Sequence, residues 1–209
     1  TKIDEMGVPL ETETVPDSQG FHTGYKFHHP ITDLERDFAK LKPAVCAVDK
    51  PKTHAYRAFL RELFDGILDV RIDTNVFGSS FLTERVIRLM GMEAFFLAMY
   101  DTPDAVHRLM AFLRDNCLRV MRWAEAEGLL RVNNTFQESF CSSYTFNHQL
   151  GRHLGPDEPA KLSEMWGGAN SQETVGICPA TYNEFCAPDH QAVPARSGLL
   201  YYGCLTTAD

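Results

Sequence analysis

The sequence has no long apolar segment and no surplus of positive charge. Its longest apolar window covers residues 94–100 and is flanked by charge, whereas a membrane-crossing helix needs about 18–20 apolar residues. Lys and Arg number 20 against 28 Asp and Glu, which gives a formal net charge of −8. Because nothing here could neutralise a run of phosphates, we expect neither nucleic acid nor a membrane as a partner.

Several common site motifs are also missing. The chain contains no G-x-S-x-G, no phosphate-binding loop, no G-x-G-x-x-G and no H-E-x-x-H, which removes the usual hydrolase, nucleotide, dinucleotide and zinc-protease signatures. Its six cysteines include no pair at C-x-x-C spacing. We therefore expect reduced, mostly buried thiols, as in a cytoplasmic protein, rather than a disulfide framework.

The 209 residues are 44% hydrophobic and 23% charged, which is typical of one globular domain. The clearest helix is predicted over 102–127, where Thr102 can cap, Pro103 takes the first helical position and Gly128 ends the helix. Apolar residues recur at helical spacing along it. Further helices are predicted over 32–41, 52–67, 82–90 and 179–193, with Thr32 and Thr53 as caps.

A helix, a glycine, a short apolar run and a polar loop recur in that order at 102–135 and 179–206. The apolar runs 129–132 and 199–202, and the alternating run 68–73, are predicted as strands. This recurrence predicts an α/β fold, specifically an incomplete TIM (β/α)8 barrel whose loops after the strands carry the chemistry. The whole chain 1–209 is expected to be one partial barrel domain, with an irregular segment at 1–33 and βα units over 34–209.

Five polar or aromatic residues stand in the predicted loops. Asn133 and Asn134 end a predicted strand and could hydrogen-bond a substrate, although asparagine also serves turns for local reasons. Trp166, with Gln172 and Glu173, could form a stacking surface with amide and carboxylate partners, although a tryptophan between glycines also serves packing.

Cys204 follows the predicted strand 199–202. At the carboxyl end of a barrel strand its thiolate would point into the mouth of the barrel, where it could bind zinc or act as a nucleophile. An ordinary buried thiol is the alternative interpretation.

Five stretches stand in order along the chain, at residues 91–110, 128–134, 166–173, 179–185 and 198–204. The most telling is Gly198-Leu199-Leu200-Tyr201-Tyr202-Gly203-Cys204. Together they resemble the uroporphyrinogen decarboxylase superfamily, in a bacterial branch near the methylcobalamin:coenzyme M methyltransferases, and the resemblance covers about residues 30–204. It implies a TIM barrel, and it implies that this chain is an internal piece of one, since about 250 residues are typical of the complete barrel.

Two activities occur in that superfamily. The methyltransferases move a methyl group between a corrinoid and a thiol, and they hold zinc with a His-x-Cys pair and a later cysteine. Cys204 matches the cysteine of that pair and is the expected metal ligand, whereas Tyr202 stands in the place of the histidine and is expected to act in catalysis. The resemblance therefore implies methyl transfer with a metal-activated thiolate, zinc, and a corrinoid supplied as substrate or by a partner protein.

The alternatives are uroporphyrinogen decarboxylation and a non-catalytic barrel that binds a corrinoid or a partner. An acidic chain is a poor match for a polycarboxylate substrate.

Overall fold

The structure is a computed structural model, and it describes residues 1–4, 6–73, 79–133, 138–140, 143–144, 149–151, 154–155 and 157–203. The α-helices are α1 (Leu34–Asp37), α2 (Lys50–Leu63), α3 (Leu82–Met90), α4 (Met92–Asp101), α5 (Pro103–Ala126), α6 (Pro179–Phe185) and α7 (Ala187–Ala192). The strands are β1 (Lys2–Ile3), β2 (Glu11–Pro16), β3 (His22–His28), β4 (Cys46–Ala47), β5 (Ser79–Ser80), β6 (Glu138–Phe140), β7 (Ser143–Tyr144), β8 (Trp166–Ala169) and β9 (Leu199–Tyr202). Short 3-10 turns lie at Phe38–Lys40, Leu162–Glu164, Gln172–Thr174 and Pro194–Arg196.

The core forms around α5, whose apolar stripe is buried as its spacing predicts. This helix packs against α3 and α4, and all three contribute fully buried side chains, among them Leu82, Val86, Leu89, Phe95, Val106, Leu109, Met110 and Leu113. Its predicted end is confirmed at Gly128, which has a φ of +64° that suits glycine. The Thr102 hydroxyl instead lies 3.5 Å from the carbonyl of Ala98, so the predicted side-chain cap is wrong.

Aspartates cap the helices predicted over 32–41 and 52–67. The Asp33 carboxylate accepts from the Arg36 N–H at 3.0 Å, and the Asp49 carboxylate accepts from the Lys52 N–H at 2.9 Å. The sequence predicted Thr32 and Thr53 for this role. A carboxylate is the stronger acceptor at the positive end of a helix, so the neighbouring aspartate takes the N–H groups.

Strands β5, β8 and β9 form a parallel sheet with β8 in the middle. Parallel pairing requires crossover connections, here the helices before β8 and β9, so the chain is α/β as predicted. The sheets among the described residues do not close, and the TIM barrel stays a prediction. No helix in the described ranges is both long and apolar enough to cross a membrane.

Three predicted elements differ in the structure. Residues 68–73 and 129–132 are not strands, and the helix predicted over 179–193 is divided into α6 and α7. The segment 1–33, expected to be irregular apart from a short strand near residues 21–27, contains an antiparallel hairpin in which β3 covers most of those residues and β2 was not predicted.

The chain enters β9 through a close approach at Gly198. Its N–H donates to the Met165 carbonyl at 2.9 Å. A Cβ atom at this position would lie 2.3 Å from the Ser163 carbonyl oxygen and 2.5 Å from the Leu150 side chain. Only glycine therefore allows β9 to reach its register beside β8.

The buried Asp37 carboxylate fastens the first helical turn to the loop before it. It accepts from the N–H groups of Thr32 and Asp33 at 3.0 and 3.2 Å, and from the Arg36 side chain at 2.8 Å. Lys40 completes the ion pairs at 3.1 Å. The Arg36 guanidinium and the Thr32 N–H hold the pKa of this carboxyl well below its ordinary value of 3.8.

We expect Asp37→Asn to lower the melting temperature at pH 7. We also expect the melting temperature of this variant to fall less, when the pH drops below 4, than that of the unsubstituted chain. A carboxyl with a depressed folded pKa stabilises the fold above its unfolded pKa, and this contribution disappears as the pH falls through the folded value. Thermal melts at pH 7 and pH 2.5 measure the effect, with exposed Asp65→Asn as the matched control. Equal melting temperatures for Asp37→Asn and the unsubstituted chain at pH 7 would contradict it.

Candidate functional site

The carboxyl ends of β8 and β9 meet at one edge of the parallel sheet. The register pairs Trp166 with Leu199 and Ala169 with Tyr202, and β5 joins the same edge where Ser80 pairs with Ala169. The loop after β8 and the last residue of β9 therefore lie side by side. This carboxyl edge is where ligands bind in open parallel sheets and in barrels.

Three hydroxyl groups converge at the carboxyl edge. The Ser171 hydroxyl and the Tyr202 phenol share a hydrogen bond, and the Tyr182 phenol, from α6, lies beside both of them. We call Ser171, Tyr182 and Tyr202 the hydroxyl cluster. Burial raises the pKa of Tyr182 above its ordinary value of 10.0, so its phenol keeps its proton at neutral pH and acts as a donor.

The hydroxyl cluster is held from the side of α5. The Arg114 guanidinium in α5 pairs with the Asp189 carboxylate in α7 at 2.6 Å. The rings of His107 and Phe185 stack with centroids 4.7 Å apart. Both contacts fix α6 and α7 against α5, and Tyr182 is carried to the carboxyl edge by that docking.

His190 in α7 lies directly against Tyr182. The two rings meet edge to face with centroids 6.4 Å apart, and the imidazole is only 3% exposed. Neither ring nitrogen has a hydrogen-bond partner among the described residues. Burial lowers the pKa of His190 to about 4, so this side chain is neutral at neutral pH.

The loop after β8 adds further polar groups to the edge. Glu173 accepts a hydrogen bond from the Thr83 hydroxyl at 2.8 Å, which joins this loop to the start of α3. Gln172 is exposed beside it, and the Thr174 hydroxyl donates to the Ser171 carbonyl at 2.6 Å. The buried Oδ1 atom of Asn170 has no hydrogen-bond partner among the described residues, which leaves an acceptor for a ligand or a water molecule.

Asn133 and Trp166 lie at the opposite end of β8. The Asn133 side chain accepts from the Trp166 N–H at 2.9 Å and donates to the Trp166 carbonyl at 3.1 Å. It thereby satisfies both main-chain groups of the first residue of β8, as a neighbouring strand would. Since β8 rises about 3.3 Å per residue, Trp166 starts roughly 10 Å from the hydroxyl cluster.

The structure therefore brings together three of the residues predicted for the site: Tyr202, Gln172 and Glu173. It does not bring Asn133 or Trp166 to that edge. Asn134 and Cys204 lie outside the described residues, and their predicted roles stay predictions.

Sequence reasoning missed three contributors, namely Thr83, Ser171 and Tyr182. The rule that parallel strands end at a common edge could have found Ser171, which stands two residues beyond β8. No pattern in the sequence pointed to Thr83 or Tyr182, because helix docking decides where they lie.

A zinc ion needs three or four protein ligands grouped within coordination distance. Among the side chains that the structure describes, no three His, Cys, Asp or Glu are grouped to hold a metal ion. The Tyr202 phenol is already bonded to Ser171. The described residues do not by themselves fit a zinc ion, and zinc at Cys204 stays a prediction.

No family model, curated protein or solved structure matches this chain. The resemblance seen in the sequence therefore rests on its own residues, and what the site can do follows from its geometry.

Proposed function

We propose that the carboxyl edge of β8 and β9 is the active site of an enzyme that moves a methyl group between a corrinoid and a thiol. The observation that carries the proposal is the hydrogen bond between Tyr202, at the end of β9, and Ser171, just beyond β8. It gives Tyr202, which replaces the histidine of the resembled motif, a defined place at the edge where such enzymes act.

The hydroxyl cluster suits a thiol substrate. A phenol that keeps its proton donates a hydrogen bond to an anionic sulfur, and donation to the charged form lowers the pKa of the thiol. The thiolate then attacks the methyl carbon. A sulfur–carbon bond forms, the cobalt–carbon bond breaks with its electron pair left on cobalt, and the thiol proton passes to solvent.

The same edge is less suited to decarboxylation of a tetrapyrrole. The Glu173 carboxylate lies in the loop after β8 and would repel the carboxylates of such a substrate. The hydroxyl cluster supplies donors but no positive charge.

We expect Tyr202→Phe to lower the rate of methyl transfer about tenfold, the usual effect of removing one hydrogen bond to a charged group. The rate is measured as thiol-dependent loss of methylcobalamin absorbance, with coenzyme M and other small thiols as acceptors. Tyr201→Phe, a change at the next residue of β9, is the matched control and should leave the rate within a factor of two.

The outcomes separate the three functions. Equal rates for Tyr202→Phe and the unsubstituted chain would remove Tyr202 from the reaction. Binding of methylcobalamin without transfer to any thiol would favour the non-catalytic barrel, and formation of coproporphyrinogen from uroporphyrinogen would favour decarboxylation.

A further inference from the structure

Helix α2 carries its largest apolar side chains on the face that points into solvent. Tyr56, Phe59 and Leu63 are 62%, 57% and 56% exposed. They stand three or four residues apart and so form one stripe along the helix. The rings of Tyr56 and Phe59 stack with centroids 6.4 Å apart. We call these three residues the α2 stripe.

The opposite face of α2 is the one that contacts the rest of the chain. Thr53, Arg57 and Leu60 are half-buried, and the Arg57 guanidinium pairs with the Asp157 carboxylate. Arg61 reaches the same carboxylate at 3.3 Å. The helix is therefore fixed with the α2 stripe outward, where an apolar surface of this kind marks an interaction site.

Apolar exposure continues beyond the helix. Ile67 and Leu68, in the turn that follows α2, are 72% and 64% exposed. The stripe itself is about two helical turns long, and this turn extends the apolar exposure past the end of the helix. A monomer gains nothing from leaving so much apolar area in water.

The charges beside the α2 stripe are complementary to those of a second copy of the same helix. Lys52 lies seven residues before Phe59, on the same face and in the first turn, whereas Glu62 lies beside the stripe in the last turn. Each charge is at the end of the helix where the dipole disfavours it. A second α2 laid antiparallel would place Lys52 of each copy against Glu62 of the other.

We propose that the α2 stripe is the interface between two copies of this chain, paired antiparallel about a twofold axis. Such an interface is self-complementary: apolar side chains meet at its centre and two Lys–Glu pairs close its ends. One helix and a turn bury less area than a permanent dimer requires, so the association is weak and depends on concentration.

Sedimentation equilibrium of the whole chain tests the pairing. Between about 1 and 200 µM we expect the mass to rise from 23.6 kDa toward twice that value, a range typical of small interfaces. Phe59→Ser should leave only the monomer over this range. Arg122→Glu, a charge reversal at an exposed position of α5, should leave the rise unchanged. Circular dichroism confirms that each variant keeps its helices.

Charge exchange tests the antiparallel arrangement. Lys52→Glu and Glu62→Lys should each weaken self-association about tenfold, because two like charges then meet at each end of the interface. A mixture of the two variants should form a heterodimer at least as tightly as the unsubstituted chain, since every end then joins opposite charges.

Three results would overturn the proposal. They are a monomer at every concentration, association that Phe59→Ser leaves intact, and a mixture of the charge variants that associates no better than each alone. A monomer at every concentration would mean that the α2 stripe binds another segment of polypeptide or a different protein. Association that survives Phe59→Ser would mean that the two copies contact each other elsewhere on the chain.

Discussion

Replacing Asn133 by alanine is expected to lower the free energy of unfolding by about 2–4 kcal/mol, because it leaves two main-chain groups of the half-buried Trp166 without their partners. The Trp166 N–H and carbonyl both bond to the Asn133 side chain, which is itself fully buried. The alanine side chain offers neither a donor nor an acceptor. Urea denaturation followed by circular dichroism measures the loss.

The matched control is Asn183→Ala, at an exposed position of α6, which should change stability by less than about 0.5 kcal/mol. The same experiment separates a structural asparagine from a substrate-binding one. If Asn133 contacted substrate, alanine would raise KM and leave the denaturation midpoint in place, which is the opposite of the result expected here.

Lowering the pH from 7 to 5 is expected to cost the fold about 2 kcal/mol through His190 alone, since one pKa unit corresponds to about 1.4 kcal/mol. Burial lowers the pKa of this imidazole from 6.5 to about 4. Between these two values His190 is protonated in the unfolded chain and neutral in the folded chain, so acid favours unfolding. Stability from His190 is therefore complete above pH 6.5 and is lost as the pH falls toward 4.

The difference between the unsubstituted chain and His190→Phe isolates this effect. Tyr182, which meets the imidazole edge to face, and the nearby Arg114, Cys186 and Asp189 are unchanged in both proteins. Burial raises the pKa of Asp189, which works in the opposite direction and cancels in the difference. Denaturant titrations at pH 5, 6 and 7 should show the acid loss shrink in His190→Phe and persist in His54→Gln, whose side chain lies in solvent. An acid loss equal in all three proteins would refute the role of His190.

The sequence pattern predicted the helices and strands whose apolar spacing and end signals lie within the element itself. The spacing of Val106, Leu109 and Leu113, with Pro103 before them and Gly128 after, gave α5 nearly to the residue. The apolar run 199–202 predicted β9, whereas β8 (Trp166–Ala169), with two glycines among its four residues, was not predicted as a strand.

Elements that are interrupted by one particular side chain were predicted less well. Pro188 has no N–H to donate, so the helix predicted over 179–193 breaks before it and α7 starts anew. Residues 129–132 were predicted as a strand, but β8 already has β5 and β9 as its neighbours, and the next residue, Asn133, bonds to Trp166 through its side chain.

The candidate site was predictable where it lies on strands and unpredictable where it depends on docking. Tyr202 ends a predicted strand, and Gln172 and Glu173 stand in a predicted loop, so all three were candidates for the site before the structure was known. Tyr182 reaches that edge only because α5 holds α6 and α7 through Arg114 and His107. Such long-range contacts leave no periodicity in the sequence.

The tight fit around Gly198 limits how this protein can diverge. Every other amino acid carries a Cβ, and a Cβ there would collide with the Ser163 carbonyl oxygen. Substitution of Gly198 is therefore not tolerated as long as β9 pairs with β8, whereas the exposed hairpin of β2 and β3 accepts many substitutions. A distant relative that builds the same sheet edge should keep glycine at this position even when little else of its sequence is recognisable.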